Sequence, residues 1–144
     1  MSAYLDASVL VSVFTTDDHT PRVLAWLARA SERLCVSDWT LAEFSSAVAI
    51  GVRTARLTIG DRDDAETALQ SWLSSQRPPE PVHSDDVRTA RSLLRATALP
   101  LRAADALHLA IAQRIGHAVV SFDSRMCEAA VDLGIAVEDL WPHA

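Results

Sequence analysis

Apolar residues along the chain fall into two alternating kinds of run. Ala3-Tyr4-Leu5, Leu34-Cys35-Val36, Ala118-Val119-Val120-Ser121-Phe122 and Ile135-Ala136-Val137 are short and unbroken, as strands buried on both faces are. Between them lie longer stretches with helical spacing. Ala7 to Phe14 predicts a helix, and Thr20-Pro21 starts a second by a capping hydroxyl and a proline at the first helical position. Val23, Leu24, Trp26, Leu27 and Ala30 form its stripe, and a long helix from about Trp39 turns Leu41, Phe44, Val48 and Val52 inward. Thr58 to Ser75 predicts another, with Ile59, Ala65, Leu69, Trp72 and Leu73 on the inner side.

Arg77-Pro78-Pro79-Glu80-Pro81 breaks the pattern, since proline forbids a helix and extends its neighbours. Val82-His83 then reads as a brief strand. Ser84 caps a helix whose positive end suits Asp85 and Asp86, and Pro100 closes that segment. Arg102 to Ile115 is helical up to Gly116, and a last helix reaches about Leu133 before Gly134. Strands alternating with helices predict an α/β fold, a parallel sheet covered on both faces. Ligands of such sheets bind outside the carboxyl ends of strands where the strand order reverses. Asp6 and Asp123 lie at two such ends.

A length of 144 residues with 49% hydrophobic residues suits one domain, 1–144, around one core. Thirteen basic side chains, all arginine, stand against 19 acidic ones, for a net charge of -6. The overall field does not steer the chain to nucleic acid, so a polyanion has to be held by local arginines and by metal. Cys35 and Cys127, outside any C-x-x-C or His-rich pattern, are expected to be buried thiols in a reducing compartment. No basic signal start and no run of about 20 apolar residues is present, so the expectation is a soluble cytoplasmic protein without a membrane partner. Four scattered glycines disfavour a phosphate loop, and no G-x-S-x-G occurs.

Candidate chemistry rests on four acids, Asp6, Glu43, Asp105 and Asp123. Each follows or interrupts an apolar run. Asp6 and Asp123 are equally placed to cap the helices that follow them. For Glu43, a capping box with Thr40 is the favoured solitary role. Asp105 lies one turn inside an apolar helix, where aspartate is a poor helix former and an unpaired carboxylate is disfavoured; Arg102 is its candidate partner. Together the acids favour a site for Mg²⁺ or Mn²⁺, because clustered carboxylates otherwise raise one another's pKa. Phosphodiester hydrolysis by metal-activated water uses such a site. Ser8 and Ser121 flank the strand-end acids and could orient a carboxylate; ordinary capping or turn chemistry is favoured for Ser8. His108 is expected to be a hydrogen-bonded histidine rather than a ligand. Trp26 and Trp72 fall on packing stripes, and Trp39 and Trp141 are unassigned. Arg102 and Arg125 suit a substrate backbone or simple charge balance, as do Arg53 and Arg56 with solvated surface as their alternative.

Tyr4-Leu5-Asp6-Ala7-Ser8-Val9-Leu10, Thr40-Leu41-Ala42-Glu43-Phe44, Leu101 to Ala110 and Val120-Ser121-Phe122-Asp123 resemble, in order and spacing, the successive motifs of PIN-domain proteins. The likeness is greatest to VapC-type toxins of type II toxin–antitoxin pairs. The resemblance implies a three-layer α/β/α sandwich with a central parallel sheet, and Mg²⁺- or Mn²⁺-dependent endoribonuclease activity. It implies that Asp6, Glu43, Asp105 and Asp123 gather the metal and that Ser121 supports them. It implies a homodimer, an RNA substrate and a cognate antitoxin, seated on exposed apolar residues of the first two helices and the Thr58–Ser75 helix. The alternatives are a non-catalytic PIN fold that binds RNA or protein, an RNA-processing nuclease without antitoxin, and a DNA-directed nuclease.

Overall fold

The computed structural model of the chain describes residues 2–30 and 33–140. Strands β1 (Ser2–Leu5), β2 (Arg33–Cys35), β3 (Ala118–Val120) and β4 (Val137–Glu138) form a parallel sheet in the order β2-β1-β3-β4. The helices are α1 (Ala7–Phe14), α2 (Thr20–Arg29), α3 (Asp38–Arg53), α4 (Ile59–Ser74), α5 (Ser84–Ala96), α6 (Ala103–Ile115) and α7 (Ser124–Asp132).

Alternation along β1 divides the interior in two. Ala3 and Leu5 pack with Val9, Phe44, Val48 and Leu69 from α1, α3 and α4, and Trp26 of α2 joins them. Tyr4 points the other way, among Leu93, Leu109, Ile111 and Met126 of α5, α6 and α7. Helices on both faces of a parallel sheet make a three-layer α/β/α sandwich. Each apolar side chain buried in it contributes roughly 1.5–3 kcal/mol.

The elements differ from expectation at their edges, for local reasons. β3 stops at Val120, because Ser121 leaves the ladder and its hydroxyl accepts the Asp123 N–H at 2.9 Å. Val82-His83 forms no strand. Pairing falls earlier, on Glu80, which bridges to Ser37 and is the only residue of Pro78 to Pro81 with an N–H to give; it donates to Val36 O at 2.9 Å. Helix α2 begins one residue early, with His19 at its cap, and the Thr20 hydroxyl turns back to donate to Ser12 O at 2.7 Å. Helix α5 likewise starts at Ser84, while Asp86 accepts the His83 N–H at 2.8 Å. Ile59, expected inward, is 60% exposed. Gly116 (φ 69°) closes α6 in the left-handed conformation that the pattern predicts. Cys35 and Cys127 are free thiols, half-buried rather than buried, and burial pushes both up to about 11. Trp26 and Trp72 pack in the interior as expected, Trp39 donates its indole N–H to Ala104 O at 3.2 Å, and Trp141 lies outside the described residues.

Candidate active site

From β1 the chain proceeds to β2 on one side, whereas β3 lies against the other side of β1. The carboxyl ends of β1 and β3 are therefore the switch point of the sheet. Asp6 is the first residue beyond β1, and its N–H reaches Val120 O at 3.2 Å. Its side chain does two things. It caps α1 by accepting the Val9 N–H at 3.3 Å, and it is gripped by two hydroxyls, Ser8 Oγ at 2.6 Å and Ser121 Oγ at 2.5 Å. Asp6 is only 6% exposed, so burial pushes its pKa up against those hydroxyls, the Val9 N–H and the nearby His108. Ser8 is thus not spent on capping: it orients Asp6 and accepts the Phe122 N–H at 2.9 Å, which ties α1 to the end of β3.

Glu43 has no part in a capping box. The box of α3 is built one turn earlier, by Ser37 at the cap and Thr40, whose N–H donates to Ser37 Oγ at 3.1 Å. Glu43 is free to face His108, whose Nε2 hydrogen-bonds its carboxylate. His108 is itself buried, as a hydrogen-bonded histidine, with Nδ1 at 2.7 Å from the Tyr4 hydroxyl. A carboxylate only accepts, so Nε2 carries a proton; in the neutral ring Nδ1 then accepts from Tyr4. Burial raises the Tyr4 phenol, which stays protonated and is also bonded to Ser37 Oγ (2.8 Å) and Thr40 Oγ1 (3.2 Å). Glu43 therefore stands on a chain of buried hydrogen bonds.

Asp105 is the third residue of α6, in its first turn rather than one turn inside, where the positive helix end favours a carboxylate. Arg102 Nε donates to it at 3.1 Å. Burial raises the Asp105 pKa against that bond, and the charges of Asp123 and Glu43 raise it further. Asp123 caps α7 by accepting the Arg125 and Met126 N–H groups at 3.0 and 3.2 Å, and its free edge lies 3.8 Å from the Arg102 guanidinium. Ser8, Glu43, Arg56, Arg102 and Asp123 line one cleft of about 590 Å³. Arg102, Asp105, Asp123 and Arg125 line its neighbour, of about 310 Å³. An apolar cavity of about 480 Å³ between α7 and β4 touches the site only at Ser121 and holds none of the four acids.

Carboxylate and hydroxyl oxygens, with no sulfur, are the donors that Mg²⁺ and Mn²⁺ prefer. Burial first, and then the charges of Asp123 and Glu43, raise the Asp105 pKa, so the three acids are close enough to feel one another. Among the described residues no group of three His, Cys, Asp or Glu side chains is arranged to hold a metal ion; Arg102 spans Asp105 and Asp123. The support beneath Glu43, formed by Tyr4, Ser37 and Thr40, does not follow from the sequence pattern. One sign of it is there: Tyr4 carries the one polar side-chain atom of Ala3-Tyr4-Leu5, and a buried phenol seeks partners.

A sequence model of the PIN domain matches residues 3–132. No curated protein matches the chain. Among solved structures, VapC20 of Mycobacterium tuberculosis, a sarcin–ricin loop cleaving toxin, is 21% identical with a TM-score of 0.70, covering 89% of this chain and 95% of that one. FitAB bound to a DNA fragment is 22% identical, with a TM-score of 0.71 and coverage of 99% and 97%. VapBC2 of Rickettsia felis, also bound to DNA, is 16% identical, with a TM-score of 0.67 and coverage of 99% and 100%. At these identities the likeness establishes the fold.

Proposed function

Because the chain belongs to the PIN-domain family, we propose that it is an Mg²⁺- or Mn²⁺-dependent endoribonuclease, the VapC-type toxin of a toxin–antitoxin pair. The observation that supports this reading is the approach of Asp123 and Glu43 to Asp105, whose pKa their charges help to raise, beside the switch point where Asp6 ends β1. Asp6, Asp105, Asp123 and Glu43 would hold the ion. When bound, it supplies a lowered pKa for water and neutralises charge on the phosphate.

The chain's own residues do the rest. Ser8 and Ser121 hold the Asp6 oxygens in one orientation. His108 holds Glu43 at the cleft wall, backed by Tyr4. Arg125 and Arg56, each lining a cleft, are placed for the substrate backbone. Leu24 of α2 and Ile59 of α4 are exposed and are candidate contacts for an antitoxin segment, whereas α1 exposes no large apolar side chain. The solved VapBC and FitAB assemblies support that partner, and a homodimer and a cytoplasmic location belong to the same reading. No helix among the described residues is long and apolar enough to cross a membrane.

The test is cleavage of a structured RNA by the purified chain with Mn²⁺, repeated with chelator and with Asp105→Asn. The expected result is cleavage that chelator and the substitution each abolish. Full activity in the variant would refute the assignment, and cleavage of matched DNA alone would favour a DNA-directed nuclease.

A further inference from the structure

Arg102 is the cap residue of α6, yet it makes no cap hydrogen bond with its side chain. Its guanidinium lies at the positive end of the helix, where a cation is disfavoured. What holds it there is the pair of carboxylates: Asp105 at 3.1 Å and Asp123 at 3.8 Å. The side chain is 80% exposed, so the pairing is weak and easily exchanged. It also sits between the two clefts, lining both.

We propose that Arg102 is an exchangeable counterion that occupies the acid cluster until a divalent cation displaces it and then moves to a backbone phosphate of the RNA. The proposal rests on the metal site described above. A doubly charged ion at Asp105 and Asp123 takes over their charge and repels the guanidinium. The displaced side chain remains at the cleft mouth beside Arg125. In a chain with a net charge of -6, this places a positive group on the substrate path only once the site is loaded. Cation and RNA are then coupled, each strengthening the other by the same factor. Arg102 is thus a positioning and coupling residue.

Mn²⁺ binding by calorimetry, without RNA, is compared for the unaltered chain, Arg102→Ala and Asp105→Asn. Removing the competing guanidinium should tighten Mn²⁺ binding by about two- to fivefold. Binding of a fluorescein-labelled single-stranded RNA 20-mer is then read by stopped-flow anisotropy before turnover, with and without Mn²⁺. The unaltered chain should gain affinity with Mn²⁺, and Arg102→Ala should gain less. With Mn²⁺, its slope of log affinity against log salt should be shallower by about 0.7, one phosphate contact on a single strand. Unchanged or weaker Mn²⁺ binding by Arg102→Ala overturns the exchange, as does an undiminished Mn²⁺ effect on its RNA affinity. If the unaltered chain and Asp105→Asn both fail to bind Mn²⁺, the metal site itself falls, and the exchange with it.

Discussion

Helix α6 carries an arginine at each end, and the two ends behave oppositely. Arg114, in the last turn, sits where the helix dipole welcomes a cation. It grips Asp86 of α5 with two bonds, 2.7 and 3.1 Å, and reaches Pro81 O at 2.9 Å. Asp86 is 2% exposed; burial works to raise its pKa, but the Arg114 bonds and the His83 N–H hold it below the usual carboxylate range. At the first turn Arg102 faces an unfavourable dipole, exposes most of its surface, and leaves Asp105 above the usual range. The same residue types close α5 onto α6 at one end and leave an open charge problem at the other.

The sharpest way to break this contrast is Arg114→Ala. It leaves Asp86 buried without its partner and should cost about 3 kcal/mol in denaturant unfolding; adding Asp86→Ala should recover part of that loss. A loss under about 1 kcal/mol would make the two ends equivalent. At the open end, Asp6→Asn and Asp105→Asn should reduce RNA cleavage more than about 100-fold, beyond what a supporting residue costs, while unfolding stays near that of the unaltered chain. Ser121→Ala should cost about 10–100-fold in cleavage, and Ser121→Thr, which keeps the hydroxyl, should retain most of it.

Acid sharpens the comparison further. Asp86 has a depressed folded pKa, so its stabilisation is present above the unfolded pKa of about 4 and is lost as pH falls through the lower folded value. The stability gap between the unaltered chain and Arg114→Ala should therefore close below about pH 4. The smallest effect is expected of Arg102→Ala, whose exposed pairings should change unfolding by less than about 1 kcal/mol.

Sequence patterning exposed the sheet and most of the helices, because buried strands and helical stripes carry distinct periods. It placed the ends less well. The Ser37–Thr40 box competes with a Thr40–Glu43 pattern of equal local merit, and only the position of His108, 65 residues away in the chain, decides for the former. Asp6 and Asp123 suit a cap or a site residue equally in sequence; in the fold Asp6 caps by one bond and is also held by Ser121, while Asp123 caps by two and lies 3.8 Å from Arg102. Capping or turn chemistry is the favoured reading of Ser8 in sequence, and the contact that adds to it, with Phe122, lies 114 residues away. Local chemistry was legible; the choice between two local options was settled by contacts that no window of sequence contains.

The short strand β1 also sets the reading frame of the molecule. Tyr4 belongs to one interior and Leu5 to the other, and Asp6 follows at once. Losing or gaining one residue between Ser2 and Leu5 would exchange the two faces, throwing a phenol into an aliphatic layer and swinging the first acid away from its serines. A deletion there would erase packing and chemistry in a single stroke.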